Sequence, residues 1–348
     1  MDSPPLRGAL IGCGFFALNQ LRAWQDLHGV EIVALCDSDP QRLAVFAEYA
    51  PDAASFTDAQ VMLRELDLDF IDIATPTSAH KPLVLMGAEA GVDIICQKPF
   101  AATLEDARLM IDTCAARGVS LTVHENFRWQ APVRATIEKL REGLIGTPFF
   151  GRVSFRSGFD VYRLQPYLAK TPRFIIEDLG VHVLDIARAL FGDVARLTCE
   201  TRRVNPTIAG EDVATVLLAH EQGATSVVDF SYATRLARDP FPQSLIEVDG
   251  DKGSLRLLAD FRLEIHDAQG HVETVNVAPE APAWSDAPWY PIQESVLRLQ
   301  REWLAKRRGG RDSETSGADN FNTQALVEAA YESAAKGTTI VPARFLSR

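Results

Sequence analysis

The sequence predicts an α/β doubly wound parallel sheet followed by an α+β domain built on a large, mostly antiparallel open sheet. Three observations lead there. At 348 residues the chain exceeds what one compact core usually holds. From Leu6 to about Val123, short β-branched runs alternate with helix-patterned segments, the rhythm of βαβ units. After about His124 the strand-like runs lengthen, alternate apolar with polar, and are separated by turn signals. The domains are therefore expected at 1–124 and 125–348.

The strand candidates of the first domain are "GALIG", "EIVALCD", "FIDIATP", "VDIICQ" and "VSLTV", all apolar enough for a sheet covered on both faces. Between them, "HKPLVLMGAEAG" closes at Gly91, and Thr103 with Asp106 forms a capping-box pattern opening "LEDARLMIDTCAARG". The second domain begins with a helix, "PVRATIEKLREG". The runs "FFGRVSFRSGF", "DVATVLLAH", "ATSVVDFSYA", "QSLIEVDG", "GSLRLLAD" and "FRLEIHDAQ" follow, with turns such as "DGDKG" separating several of them. One sheet face is expected to carry helices and the other to meet a second copy of the chain, as a homodimer or homotetramer. "APEAPAWSDAPWYP" reads as a loop whose Trp284 and Trp289 want burial, and a last helix, about Thr323 to Lys336, is expected to pack back toward the first domain.

The formal net charge of −12 argues against a nucleic-acid partner, which requires clustered Lys and Arg. No apolar run reaches membrane-spanning length and no cleavable apolar leader is visible, so a cytoplasmic protein is expected. The five cysteines read as small buried hydrophobes in a reducing compartment. Cys13 and Cys36 belong to no CxxC or His-Cys cluster, and no metal is expected.

The first strand runs into Gly12-Cys13-Gly14-Phe15-Phe16-Ala17, a G-x-G-x-x-A turn opening a helix. Gly12 permits the tight turn, Gly14 lets the backbone approach a pyrophosphate, and the helix N-terminus offers N–H donors. The next strand ends in Asp37, 23 residues after Gly14, where a carboxylate accepts hydrogen bonds from an adenosine ribose. That carboxylate favours NAD over NADP, whose 2′-phosphate it would repel, although Arg42 one helical turn on keeps the NADP alternative open. Thr75, Pro76 and His80 follow the strand "FIDIATP" at the carboxyl edge of the sheet, where doubly wound folds bind ligands. "VDIICQKPF" ends its strand in Gln97-Lys98-Pro99, and proline redirects the chain just where the lysine emerges.

A lone strand-end lysine carries little weight, but the second domain supplies its complement. "RFIIEDLGVHVLDIARALFG" reads as an amphipathic helix with Asp178 and His182 at i and i+4 on one face. An imidazole is the natural acid/base near neutral pH. Asp185 reads as a structural partner for neighbouring chain. Tyr162, Arg163, Gln165, Tyr167 and Arg173 supply donors and flat surfaces, and Asn126 and Arg128 lie where the chain crosses between domains.

Taken together these motifs resemble the glucose-fructose oxidoreductase, inositol dehydrogenase and MocA family. "TPTSAH" matches its T-P-x-x-x-H, "QKP" its E-K-P, and "EDLGVHVLD" its D-x-G-x-H-x-x-D, and the likeness covers nearly the whole chain. The resemblance implies an N-terminal Rossmann domain and an NAD-dependent oxidoreductase acting on a sugar or polyol hydroxyl. It implies Lys98, Asp178 and His182 as catalytic groups suited to a polyhydroxy substrate; Asn126 and Gln165, near them in the chain's layout, are expected as further substrate contacts. Gly12, Gly14, Phe15, Phe16, Asp37, Arg42, Thr75, Pro76, His80, Gln97 and Lys98 stand as cofactor contacts. Gln97 departs from the family's usual glutamate and removes a negative charge beside Lys98. A non-catalytic dinucleotide-binding regulator of a sugar pathway is the alternative, one that would have no need of the intact lysine, aspartate and histidine.

Overall fold

The structure is a computed structural model and describes residues 4–346. It divides into two compact units, one holding the residues up to Glu125 together with Val296–Phe321, the other Asn126–Ser295 together with the residues from Asn322 on.

The first unit is a six-stranded sheet of β1 (Leu6–Ile11), β2 (Val30–Cys36), β3 (Ala54–Phe56), β4 (Phe70–Ile73), β5 (Asp93–Gln97) and β6 (Leu121–His124). The order is β3-β2-β1-β4-β5-β6 and every pairing is parallel. The ladder brings Ile11 beside Cys36 and Ile73, and Ile73 beside Cys96. Hence the loops that follow β1, β2, β4 and β5 emerge together at one edge, the ligand edge of a doubly wound fold. Helices α1 (Ala17–Gln25), α2 (Pro40–Ala47), α3 (Ala59–Glu65), α4 (His80–Ala90) and α5 (Leu104–Arg117) make the crossovers. Their punctuation is as the sequence predicts: Gly91 and Gly118 adopt left-handed caps, and the Thr103 hydroxyl accepts the Asp106 N–H at 3.1 Å. Gly8 is required by packing, since a Cβ there would lie 2.2 Å from the Phe70 ring. The three-residue β3 escaped the sequence analysis because it is too short for alternation to register.

The second unit holds an eight-stranded sheet of β7 (Pro148–Arg156), β8 (Val194–Arg202), β9 (Val213–His220), β10 (Thr225–Ser231), β11 (Leu245–Gly250), β12 (Gly253–Leu258), β13 (Arg262–Asp267) and β14 (Val272–Asn276). Its order is β14-β13-β12-β11-β7-β10-β9-β8, antiparallel except for the β7–β10 pair. Strands β8 and β14 were not read from the sequence; both carry polar residues that blur the alternation. Helix α6 (Ala131–Arg141) leads in, and α7 (Val181–Phe191) lies on the sheet. A Cβ at Gly151 would sit 2.0 Å from the Phe191 ring, so the glycine lets that helix end seat closely. One face buries Val153, Phe155, Val216, Leu218, Val228, Phe230, Ile246 and Leu255. The alternate residues of β7 and β10 face away and pair as ions, with Asp229 accepting from Arg152 at 2.7 Å and from Arg156 at 3.2 Å.

Helices α8 (Tyr290–Arg308) and α9 (Gly317–Lys336) complete the chain's long helices. The sequence analysis passed over α8, whose Trp303 and Leu304 join Trp24, Phe70 and Ile95 in a core cluster. The Trp303 ring centre lies 4.8 Å from that of Phe70 and 5.6 Å from that of Trp24, which ties 296–321 to the first unit. Helix α9 starts at Gly317, not Thr323, because the Ser316 hydroxyl accepts the Asp319 N–H and caps it earlier. Residues of α9 bond within the second unit: Thr323 to Asp185, Tyr331 to Glu211 and Ser333 to Cys199. Trp289 is half-buried and meets Phe159 and Phe241 edge-on. Among the described residues no helix is long and apolar enough to cross a membrane.

Candidate active site

The glycine turn rests on a close backbone approach. Gly12 has φ +99°, and a Cβ on it would lie 2.7 Å from the Ala74 carbonyl carbon, so only glycine fits between the ends of β1 and β4. A Cβ on Gly14 would meet no protein atom within 4 Å, so packing does not demand glycine there, and the open face suits a pyrophosphate against the backbone. Asp37 clasps the turn, accepting the Cys13 N–H at 2.7 Å and the Asp39 N–H at 2.9 Å. Each of its oxygens retains a second lone pair for a ribose hydroxyl. Arg42 pairs with Asp39 at 3.6 Å and is exposed. Phe15 is exposed as well, while Phe16 meets His124 edge-on at 6.1 Å. Burial, and then the Asp37 carboxylate, pushes the Cys13 thiol up to about 12; the Cys36 thiol goes up to about 11 for the same two reasons. Neither is poised as a thiolate ligand, and among the described residues no group of three His, Cys, Asp or Glu could hold a metal.

At the end of β4, the Thr75 hydroxyl oxygen is buried and has no hydrogen-bond partner in the protein, an acceptor and donor placed at the ligand edge. Pro76 is exposed beside it. His80 is 1% exposed and sits among three carbonyls, with Nε2 2.8 Å from Thr75 O and Nδ1 3.2 Å from both Pro99 O and Phe100 O. Its ring lies between the Thr75 loop and the Pro99 loop, and as a neutral imidazole it donates to one of them. Burial lowers its pKa, against the opposing pull of the carbonyls. The open Gly14 face, the Asp37 lone pairs and the unpartnered Thr75 hydroxyl together fit a bound dinucleotide.

Gln97 and Lys98 close the edge. Gln97 is buried, donates its Nε2–H to Gln20 Oε1 at 3.2 Å, and accepts the Lys98 backbone N–H at 3.1 Å. Lys98 is half-buried where β5 ends, and its peptide bond to Pro99 is cis.

In the second unit the predicted helix over 173–192 is interrupted. Residues Ile176–Gly180 form a π turn before α7, so Asp178 lies on a wider turn than His182. The reason is local. The Glu211 carboxylate accepts the Phe174 and Ile176 N–H groups at 3.2 and 3.3 Å and fixes where the helix begins, while Gly180 lies so close to Phe230 that a Cβ would be 2.8 Å from its ring. His182 is 4% exposed and stacks on Phe127, ring centres 4.0 Å apart and 7° from parallel. Phe127 is held in turn by its neighbour Arg128, whose guanidinium forks onto Asp185 at 2.7 and 2.6 Å, with Thr323 donating to the same carboxylate at 2.9 Å. Asp185 is thus the structural partner that the sequence suggested, and Arg128 belongs to this strut. Arg173 is likewise consumed, bonded to Glu177 and Glu328 and lying 4.1 Å over the Tyr331 ring.

Around half-buried Asp178 stand three tyrosines. The Tyr162 and Tyr167 hydroxyls are each pushed up to about 12 and that of Tyr232 well above its ordinary value, in every case by burial first, with the Asp178 charge contributing. Gln165 accepts the Tyr167 hydroxyl at 2.8 Å, Arg163 is exposed, and Asn126 is buried with its amide donated to Ser295 at 2.7 Å. Tyr232 and Phe127 were missed from the sequence. Tyr232 continues the parity of Val228 and Phe230 on the helix-bearing face, which was the available signal; nothing local marks Phe127 as the partner of His182.

The sequence profile described as an oxidoreductase family with an NAD-binding Rossmann fold, GFO/IDH/MocA, matches residues 6–125, and that of the GFO/IDH/MocA C-terminal domain matches 133–256. A D-apiose dehydrogenase of Paraburkholderia graminis is 58% identical over 334 residues, 96% of this chain and 89% of that protein. A second D-apiose dehydrogenase, from Rhizobium rhizogenes, is 52% identical over 98% of both chains. The crystal structure of an oxidoreductase from Agrobacterium radiobacter in complex with NAD+, L-tartaric acid and magnesium superposes with a TM-score of 0.96 at 52% identity, covering 97% of this chain and 99% of that one. The glycine turn, the clasping Asp37 and the near-complete likeness to these proteins lead to one conclusion: the chain is an NAD-binding oxidoreductase of the GFO/IDH/MocA family.

Proposed function

We propose that the protein is a D-apiose dehydrogenase, oxidising a hydroxyl-bearing carbon of the sugar with NAD. The observation that carries the reading is the 58% identity, over 96% of this chain, to the D-apiose dehydrogenase of Paraburkholderia graminis. NAD, when bound, supplies the hydride acceptor. Gly12, Gly14, Phe15, Phe16 and Asp37 hold its adenosine and pyrophosphate, with Arg42 at the rim; Thr75, Pro76 and Gln97 line the nicotinamide side, with His80 between the two loops there. His182 takes the proton of the reacting hydroxyl, and its stack on Phe127 keeps the imidazole plane fixed for that transfer. Lys98 donates a hydrogen bond to the same oxygen and stabilises the negative charge that develops there. Asp178, flanked by Tyr162, Tyr167 and Tyr232, orients the sugar hydroxyls, with Gln165 and Asn126 as further contacts. Asp37 disfavours a 2′-phosphate, in keeping with NAD over NADP.

We also infer a cytoplasmic homodimer or homotetramer, associating through the sheet face of the second unit that carries Arg152, Arg156 and Asp229; the molar mass in solution tests it. The activity is tested with purified protein, NAD and D-apiose beside a panel of aldoses and inositols, following absorbance of the reduced cofactor. Turnover highest with D-apiose is expected. Tight NAD binding with no turnover of any sugar or polyol would overturn the dehydrogenase and favour a dinucleotide-binding regulator.

A further inference from the structure

We propose that Asp72, acting through Gln20, is a positioning residue for Lys98: a buried relay of three N–H donors fixes the amide of Gln97 and with it the backbone from which the lysine leaves its strand. The proposal rests on the assignment of Lys98 as catalytic.

Asp72 lies in the middle of the sheet on β4, fully buried between Ile71 and Ile73. A carboxylate in that place costs stability where another Ile or Val would contribute it. Gln20, on the buried face of α1, donates to Asp72 Oδ1 at 2.6 Å, and the Trp24 indole N–H donates to Oδ2 at 2.8 Å. Gln300 Nε2 donates to the Gln20 backbone carbonyl at 3.2 Å and lies 3.5 Å from Asp72 Oδ2. From Gln20 the chain of bonds runs outward: Gln97 Nε2–H to Gln20 Oε1, then Lys98 N–H to Gln97 Oε1.

The polarity of this chain has one origin. An amide can turn over and exchange its donor for its acceptor, whereas the Trp24 indole can only donate and an ionised Asp72 can only accept. With a carboxylate at position 72, Gln20 must turn its NH2 inward and its oxygen toward Gln97. Gln97 must then turn its NH2 toward Gln20 and its oxygen toward the Lys98 N–H. With an amide at position 72 the consequence reverses. If its oxygen serves Trp24, its NH2 faces Gln20, which turns over; Gln97 turns over after it and opposes an NH2 to the Lys98 N–H. If its oxygen serves Gln20 instead, its NH2 confronts the Trp24 donor. Either arrangement strands a buried donor, so the carboxylate is needed for the direction of the relay and not for filling space.

Above about pH 7, where Asp72 is ionised, the test compares wild type, Asp72→Asn, Gln20→Met and Gln97→Ala, with Asp72→Asn also made in the Gln97→Ala background. Gln20→Met cuts the relay at its middle and leaves Asp72 the Trp24 donor, so it carries the test should Asp72→Asn fold poorly. Hydrogen exchange at the Lys98 backbone amide, read by NMR on the protein without substrate, is expected to be at least about 10-fold faster in Asp72→Asn and in Gln20→Met. With NAD and D-apiose, kcat is expected to fall about 10-fold in each, with KM for NAD within about 3-fold, and Asp72→Asn to change kcat no further once Gln97 is alanine. Unchanged exchange at Lys98, or an Asp72→Asn effect of the same size with and without Gln97, would overturn the relay. Lys98→Met separates the two levels: if it keeps full turnover, the assignment of Lys98 fails, while the exchange measurement still decides whether Asp72 orients Gln97.

Discussion

Asp72 also yields the sharpest stability prediction. Burial pushes its carboxyl up to about 7, against the partial relief of hydrogen bonds from Trp24, Gln20 and Gln300, whereas an unfolded aspartate titrates near ~3.9. The difference is about 3 pH units, and at ~1.36 kcal/mol each the folded protein loses about 4 kcal/mol as Asp72 ionises. The sign follows from the raised folded value. Between pH ~4 and about 7 the folded state holds a proton that the unfolded state has released, so this contribution is complete below pH ~4, declines as pH rises, and is gone above about 7. Asp72→Asn removes the titration and leaves a fixed cost of about 1–3 kcal/mol for the mismatched donor. Thermal melts of both proteins from pH 5 to pH 9 supply the assay, the difference between them cancelling every other titrating group. The Tm of Asp72→Asn relative to wild type is expected to climb by several degrees from pH 5 to 8 and then to level, at about 2–4 °C per kcal/mol for a unit of this size. A difference independent of pH would refute the reasoning.

Other perturbations follow from the same geometry. Gly12→Ala places a Cβ 2.7 Å from the Ala74 carbonyl carbon on a backbone of positive φ, and the Kd for NAD, measured by calorimetry, should rise at least about 100-fold. Phe127→Leu removes the parallel stack on His182; kcat should fall about 10-fold with KM for NAD unchanged in steady-state kinetics, since the imidazole loses the plane that orients it. Arg128→Met leaves the buried Asp185 carboxylate with Thr323 and with Arg188 4.0 Å away but without its bidentate partner, and denaturant unfolding should show a loss of about 3 kcal/mol.

Much of this was legible in the sequence because it is local. A glycine turn, a strand-end aspartate and a Lys-Pro exit are set by a few adjacent residues, and the parallel sheet places them on one edge whatever else the chain does. The i, i+4 spacing of Asp178 and His182 was legible too, but not the π turn between them, because the cause is Glu211, more than thirty positions away. Helix α8 went unread although its Trp303 closes the core around Trp24 and Phe70; its role is visible only when those rings meet. Arg128 and Arg173 read as substrate donors because nothing in their surroundings in the chain announces Asp185 or Glu328. His80 and Gln97 were legible as residues of the cofactor edge, but not their bonds to the main chain and to Gln20, which only the folded chain brings together. Asp72 stands in an apolar run as one polar letter, and only Gln20 and Trp24 on α1 give it a purpose.

Lys98 and His182 are proposed to serve one and the same hydroxyl oxygen. Single-turnover formation of NADH from NAD and D-apiose, measured for wild type, Lys98→Met, His182→Ala and the double variant, tests it most directly. Each single variant should lower the hydride-transfer rate by roughly 100-fold or more with NAD affinity nearly intact, and the double variant should be little slower than the worse single one, because groups acting on one proton transfer do not add. Full turnover in His182→Ala, or losses that multiply in the double variant, would contradict it.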